Sequence, residues 1–230
     1  MTKDSDTVAA IILCGGQSRR MGAPKAWLPL GHETLLQRTV RVLSSVSRTV
    51  IVSAAPGQRL PSLPSDVIIV EDEQPGMGPL QGIACGLAQA AAHGAARAFV
   101  AATDMPFLSA DLARYMLGKL DTADVAVPVS DERYYPLCAA YRVGAALEVA
   151  RELLARGERR PRVLFERLRT REVPLTELRE AGFEENVLTN VNTPDDYKLV
   201  VRAFLGRSGE TGPTKARAPG AGSTQGGQER

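Results

Sequence analysis

Residues 13 to 25 read Leu13-Cys14-Gly15-Gly16-Gln17-Ser18-Arg19-Arg20-Met21-Gly22-Ala23-Pro24-Lys25. Paired glycines let a backbone pass close to a phosphate and present its N–H groups to it. Arg19, Arg20 and Lys25 supply cations suited to a triphosphate. The segment is not a Walker A loop, because the Gly-Lys-Ser/Thr ending is missing, and its glycines are spaced wrongly for GxGxxG. A lone Gly-Gly would read as an ordinary turn with solvated charges. Gly-Gly with three cations, directly after an apolar run, points to phosphate binding.

Two acids stand where a metal could help. Asp104 directly follows the apolar run 98–102 and Thr103, and Asp72 ends the run Ile69-Val70-Glu71-Asp72. Mg²⁺ is usually held by one or two carboxylates plus substrate phosphates. Either acid alone would read as a turn or cap aspartate. Both together with a cationic glycine loop make a joint metal and phosphate site the better reading. The remaining candidates read as structure. Cys14 has no nearby histidine to activate it and fills space; Cys85 and Cys138 are expected in the core. His32 and His93 fall in a turn and near a helix end, where both should be solvated. Trp27 is expected to pack. Glu158-Arg159-Arg160-Pro161-Arg162 reads as a solvated helix junction, which a second anionic substrate would turn into a docking site.

These residues need a scaffold, and the body of the chain alternates strands with helices. Val8–Leu13 is a continuous apolar run, as suits a buried parallel strand. Residues 49–53, 67–70, 98–102, 125–129 and 137–141 read as further strands. Leu36, Val40 and Leu43 mark an amphipathic helix over 34–46. Gly78-Pro79 opens another, with Leu80, Ile83, Leu87 and Ala91 as its buried face. Ser109 caps a helix to about 120, and 145–155 is a fourth. Asn192-Thr193-Pro194-Asp195-Asp196 starts a last helix, read to 205. The pattern predicts an α/β fold: a mostly parallel sheet with helices on both faces, Rossmann-like. Ligands of such sheets bind beyond the C-terminal strand ends, where loops 14–25, 71–78 and 103–107 emerge.

Composition removes other classes. The formal charge is +2; residues 206–230 hold four basic and two acidic groups, so 1–205 are neutral. That body lacks the basic excess of a nucleic-acid-binding domain. Two histidines and three scattered cysteines leave no material for a His-rich metal site or a disulfide framework. No apolar run reaches the length of a membrane span, and the N-terminus is too short and acidic for a signal peptide. The expected compartment is the cytoplasm. The expected organisation is one domain, 1–205, followed by a disordered tail, 206–230, without large apolar side chains.

The first loop resembles the Gly-Gly-x-Ser-x-Arg-Met-Gly-x-x-Lys signature of nucleotidyltransferases with the GT-A-like Rossmann fold. Gly78-Pro79-Leu80-Gln81-Gly82 resembles the GPLxG segment of molybdenum cofactor guanylyltransferases. So do Thr103-Asp104-Met105-Pro106-Phe107, Tyr135-Pro136-Leu137-Cys138-Ala139, Gly157-Glu158-Arg159-Arg160 and Asn190-Val191-Asn192-Thr193-Pro194 with respect to later blocks of that family. The resemblance covers roughly 8–200. It implies transfer of GMP from GTP to the phosphate of molybdopterin, with pyrophosphate released and Mg²⁺ as cofactor. It places Leu13, Cys14, Gly15, Lys25, Ser53, Asp72 and Asp104 at the nucleotide, with Asp104 also on the metal. Arg19, Lys25 and Asp104 are the catalytic candidates, and Asn190 and Asn192 face the pterin. GTP and molybdopterin are the implied partners, with room for transient contact with molybdoenzymes or cofactor-handling proteins and none for nucleic acid or membrane. Three positions depart from the family pattern: Cys14 for a usual alanine, Ser53 for a common asparagine and Tyr135 for a frequent histidine. The alternatives are a cytidylyl- or sugar-nucleotidyltransferase of the same fold, and a non-catalytic carrier of nucleotide or molybdenum cofactor.

Overall fold

The computed structural model describes residues 7–15, 21–71, 78–131 and 133–208. Arg19, Arg20, Asp72 and residues 209–230 lie outside the described residues. An eight-stranded mixed sheet forms the centre. Its strands are β1 (Val8–Leu13), β4 (Thr49–Ala54), β5 (Ile68–Glu71), β6 (Arg97–Ala102), β7 (Val125–Ser130), β8 (Arg133–Tyr134), β9 (Cys138–Arg142) and β10 (Thr170–Pro174). The order is β10-β7-β9-β6-β1-β4-β5, with β8 paired to β7. β6, β1, β4 and β5 run parallel, as does the pair β7 and β10, while β9 is antiparallel to both β6 and β7. A small hairpin, β2 (Pro29–Leu30) and β3 (Glu33–Thr34), stands apart. The expected mostly parallel sheet is present, and helices cover both faces.

The two-residue period of β1 builds both layers. Ala10 and Ile12 pack on α1 (Leu35–Ser44) and α3 (Ala110–Gly118) through Leu36, Val40, Leu112 and Met116. Ala9, Ile11 and Leu13 pack on the other face against α2 (Pro79–Ala92) and α4 (Val143–Ala155). Every residue of β1 after Val8 is buried, which is why the strand reads as an unbroken apolar run rather than an alternating one. Helix α1 begins at a capping box: Thr34 Oγ1 accepts from Gln37 N, and the Gln37 side chain accepts from Thr34 N. Ser109 caps α3 through Leu112 N, as expected.

The sheet lies unusually close to α2, because Gly82 and Gly86 face it one turn apart. A Cβ on Gly82 would come within 3.2 Å of Leu13 and of Ser53 Oγ, and one on Gly86 within 2.3 Å of Ile11 Cγ2. That methyl is bonded to the Ile11 Cβ on a fully buried central strand, so it has nowhere to swing. Gly86→Ala is therefore expected to destabilise the protein. Overpacking costs about 1–3 kcal/mol, which outweighs the helix-propensity gain of up to about 1 kcal/mol. A thermal melt checks this; an unchanged or raised Tm means that α2 lifts off the sheet at no cost.

Several expectations need correction. Ala91 is exposed, and Ala90 takes its place in the core. The chain leaving α2 folds back over Ala90, with Ala95 N donating to its carbonyl at 2.9 Å. Trp27 does not pack: it is 47% exposed, with its indole N–H donating to the Arg59 carbonyl at 3.0 Å. Met21, Leu28 and Leu30 fill the neighbouring core instead. Cys85 is only half-buried on the flank of α2. The last helix, α7 (Pro194–Ser208), continues past 205, so 206–208 belong to it rather than to the tail. The stretch 156–189, unassigned from sequence, contains α5 (Arg162–Arg167), β10 and α6 (Leu175–Glu180). Among the described residues no helix is long and apolar enough to cross a membrane.

Candidate active site

Register brings the candidates to one level. Leu13 on β1 pairs with Ser53 on β4 and with Ala102 on β6, and Ser53 pairs with Val70 on β5. The C-terminal ends of four parallel strands thus form one edge. Beyond it the chain is stitched crosswise. Cys14 N donates to Ser53 O at 2.8 Å, while Thr103 donates to Leu13 O from both its N (3.1 Å) and its hydroxyl (3.0 Å). Arg38 Nε, from α1, donates to Pro106 O at 2.8 Å and holds the loop after β6.

On this edge four polar side chains converge from three distant parts of the chain. Lys25 Nζ lies 2.6 Å from Asp104 Oδ2 and donates to Asn192 Oδ1 at 3.0 Å. Asn190 Nδ2 donates to the other Asp104 oxygen, Oδ1, at 2.7 Å. Lys25 arrives on a single 3-10 turn, Lys25–Trp27, after Gly22 at φ +69° and the extended Pro24; a positive φ there suits glycine. Asn190 and Asn192 flank Val191, which is fully buried and whose N–H donates to Asp104 O at 2.9 Å. An asparagine on each side of one buried valine puts both amides on the side facing Asp104 and Lys25. Asp196 locks this segment to α7. Its Oδ2 accepts from Asn192 N (2.9 Å) and Thr193 N (2.8 Å), and Asp196 N donates to Thr193 Oγ1. Those backbone donors hold its carboxyl below the usual range.

Asp104 caps no helix: both its carboxylate oxygens are taken by side chains remote in sequence. Asp104 lies in the turn after β6, and its carboxylate is engaged by this cluster and not by a helix end. Cys14 is buried, and burial pushes its thiol up, outweighing hydrogen bonds from Thr103 and Gln58 that lower it. A neutral, inaccessible thiol is no nucleophile, in line with its reading as filler. Ser53 is 1% exposed and sits against Gly82, so its hydroxyl lies beneath the site rather than in open solvent. His32 and His93 are exposed and take no part.

Sequence reasoning missed two struts. Gln58 accepts from Ala55 N through Oε1 (2.9 Å) and donates from Nε2 to Cys14 O (3.1 Å), tying the loop after β4 to the glycine loop. Thr103 does the same from β6. A glutamine in a polar loop carries no signal of such a role; a threonine beside Asp104 carried one that went unread. Glu158 also does more than decorate a helix junction. It accepts from Arg159 N and Arg160 N and pairs with the Arg160 guanidinium. That side-chain hydrogen bond, ahead of the backbone ones, brings its carboxyl down to about 2. The junction thus fixed packs on α2's start: a Cβ on Gly78, at φ +77°, would meet Arg159 O at 3.2 Å.

The site's donor set fits one hard cation. Among the described residues no three His, Cys, Asp or Glu side chains gather into a metal cage. A single carboxylate, Asp104, is the arrangement expected where substrate phosphates supply the other ligands.

Comparison with known proteins settles the family. The model of the MobA-like NTP transferase domain matches residues 10–173. The chain belongs to the MobA-like NTP transferase family. A probable molybdenum cofactor guanylyltransferase of Mycobacterium tuberculosis is 38% identical over 196 residues, covering 84% of this chain and 92% of the relative. One from Mycobacterium avium is 39% identical over 204 residues, covering 87% and 98%. The crystal structure of molybdopterin-guanine dinucleotide biosynthesis protein A from Archaeoglobus fulgidus superposes with a TM-score of 0.72. It is 24% identical and covers 86% of this chain and 99% of its own. The 2-C-methyl-D-erythritol 4-phosphate cytidylyltransferase of Thermus thermophilus shares the fold, with a TM-score of 0.61 at 18% identity, covering 85% and 98%. Members of this nucleotidyltransferase family generally use a divalent metal.

Proposed function

We propose that this chain transfers GMP from GTP to the phosphate of molybdopterin, releasing pyrophosphate and forming the guanine dinucleotide cofactor. The observation that carries it is the Lys25–Asp104–Asn190–Asn192 cluster at the strand ends, in a chain 38–39% identical to curated guanylyltransferases.

An oxygen of the acceptor phosphate attacks the α-phosphorus of GTP. The bond from that phosphorus to the α,β-bridging oxygen breaks, and its electrons leave with pyrophosphate. A phosphate monoester has a second pKa near ~6, so at neutral pH the attacking group is mostly a dianion. No side-chain base is required, which agrees with a chain of only two histidines, both exposed. The difficulty is repulsion between two anions. Lys25 is the cation positioned to offset it, with Arg19 as the second candidate from the glycine loop. Gly15 offers backbone to the nucleotide, Leu13 and Cys14 hold that loop to Thr103, Ser53 and Gln58, Ser53 lies below, and Asp72 is the further candidate on the adjacent loop. Asp104 would hold Mg²⁺, which when bound supplies charge neutralisation at the phosphates. Asn190 and Asn192, bonded to Asp104 and Lys25, orient both against the acceptor side. Position and preorganised charge are the whole of the catalysis.

The competing reading is a cytidylyltransferase on the same fold; the departure at Ser53 bears on which base is taken, since a hydroxyl offers fewer contacts than an amide. Purified protein with Mg²⁺, molybdopterin and each nucleoside triphosphate in turn separates the two by pyrophosphate release. GTP is expected to give the fastest turnover. Faster turnover with CTP moves the chain to the cytidylyl relatives, and none with any triphosphate makes it a carrier.

A further inference from the structure

The glycine loop, 14–25, is held at both ends by one short segment. The chain leaves β4 and turns at 55–59, where Gly57 sits at φ +67° and Gln58 N donates to Ala55 O at 3.0 Å. At the near end of the glycine loop, Gln58 Nε2 donates to Cys14 O at 3.1 Å and lies 3.5 Å from Cys14 Sγ. At the far end, the Trp27 indole N–H donates to Arg59 O at 3.0 Å. These ties span 44 and 32 positions of sequence, yet they meet on adjacent residues. A third bond, from Gly57 N to Glu71 Oε1 at 3.2 Å, steadies the turn on the end of β5.

Each tie is directional. Gln58 Oε1 accepts from Ala55 N at 2.9 Å, which fixes the amide and leaves its N–H₂ facing Cys14 O. Cys14 N is committed to Ser53 O at 2.8 Å, so both backbone polar groups of Cys14 are fastened to the chain around the end of β4, directly before Gly15. Trp27 passes its anchor to Lys25 through the 3-10 turn. Leu28 N donates to Lys25 O at 3.1 Å, and Trp27 N to Pro24 O at 3.0 Å. Holding the indole therefore holds the backbone of Lys25. Trp27 is the chain's single tryptophan and is 47% exposed. Half its surface gains nothing from burial, while its one side-chain donor is committed to the tie.

Resting on the nucleotidyltransferase reading, we propose that Gln58 and Trp27 are positioning residues for the nucleotide. Together they clasp the two ends of the glycine loop onto residues 55–59, so that the Gly15 backbone and the backbone carrying Lys25 are set before a triphosphate arrives. A loop ordered in advance costs less to order on binding. The acceptor side is organised separately, by Asp196 on the backbone of Asn192 and Thr193. Loss of the clasp is therefore felt by the nucleotide and not by the acceptor.

Calorimetric titration of the full chain with GTP in the presence of Mg²⁺, without acceptor, tests the clasp. Trp27→Phe keeps an aromatic ring and removes the N–H; Gln58→Ala removes the amide. Each is expected to weaken GTP binding about three- to tenfold, the worth of one hydrogen bond. The two substitutions remove separate bonds, so the double variant should lose the product, about tenfold or more. In steady-state dinucleotide formation the KM for the acceptor stays within twofold of wild type. A residue that only stabilises the fold would lower the Tm and leave GTP affinity alone, or weaken both substrates together. Wild-type GTP affinity in the folded double variant, or equal losses for GTP and acceptor, overturns the clasp and leaves the function standing. If Gln58→Ala fails to fold, Trp27→Phe, at a half-exposed position, decides alone by the same criterion. A wild type that binds CTP and not GTP overturns the guanylyltransferase reading, and the same fold-changes measured with CTP then decide the clasp. A wild type that binds no nucleoside triphosphate overturns both.

Discussion

Asp104→Asn is expected to reduce GMP transfer by about a hundredfold or more while leaving the fold intact, the scale seen when one preorganised charge-stabilising group is lost. The structural reason lies in what surrounds the carboxylate. Oδ2 faces the Lys25 ammonium at 2.6 Å and Oδ1 faces the Asn190 amide N–H₂ at 2.7 Å. Both neighbours donate. An asparagine has one oxygen and one N–H₂, so it sets a donor against a donor unless the Asn190 amide flips to offer its own oxygen. It also removes the one negative charge in the described cluster on which a divalent cation can settle. Some stability should go with the charge, because only 21% and 15% of the Lys25 and Asp104 side chains are exposed, which shields the pair more than a surface bridge worth about 0–1 kcal/mol. The measurement is rate against Mg²⁺ for both proteins, with a thermal melt as control. The variant should need far more Mg²⁺ and still fall short at saturation. Overlapping curves would remove the metal role, and with it the core of the proposed chemistry.

The residue types of this site were legible in the sequence, but their meeting was only partly so. β1 is apolar throughout and β4 and β6 are nearly so, because both faces of the sheet are covered, and that pattern survives in sequence as continuous blocks. Their loops were then placed by topology alone. Asn190 and Asn192 were different. Asn-Val-Asn-Thr-Pro announces a helix start, which α7 delivers, but nothing in it says that the two amides reach Asp104 and Lys25 across 86 and 167 positions. Family resemblance placed the two amides on the pterin side; their contact with Asp104 and Lys25 came only with the structure. The region 156–189 escaped because its elements are too short to show a period. α5 and α6 have six residues each, and β10 buries only Val173 among its five. The missed exposure of Trp27 and the missed strut Gln58 share one cause. Both side chains donate to a backbone carbonyl remote in sequence, Arg59 O in one case and Cys14 O in the other, and backbone acceptors leave no trace in side-chain pattern.

Lys25→Ala separates the lysine's part from the aspartate's. Lys25 bridges Asp104 and Asn192 with about a fifth of its side chain exposed, so its ammonium is held mostly within the cluster. With GTP bound, a charge-assisted contact to the triphosphate is typically worth ~1.5–3 kcal/mol, or about ten- to a hundredfold. The loss is expected in both terms: GTP binds more weakly, and kcat falls further because charge grows on the leaving pyrophosphate. The Mg²⁺ requirement should move the other way from Asp104→Asn. An ammonium at 2.6 Å competes with a divalent cation for the same carboxylate oxygen, so removing it leaves Asp104 at least as ready for metal as before. Half-maximal Mg²⁺ in Lys25→Ala should therefore be equal to or below wild type, even though the rate is lower. Lys25→Arg keeps the charge but not the compact head that fits between Asp104 and Asn192, and should recover only part of the rate. If Lys25→Ala instead raises the Mg²⁺ requirement as Asp104→Asn does, the lysine acts by positioning the aspartate and not by meeting the nucleotide. Unchanged GTP affinity and unchanged turnover take it out of the site altogether.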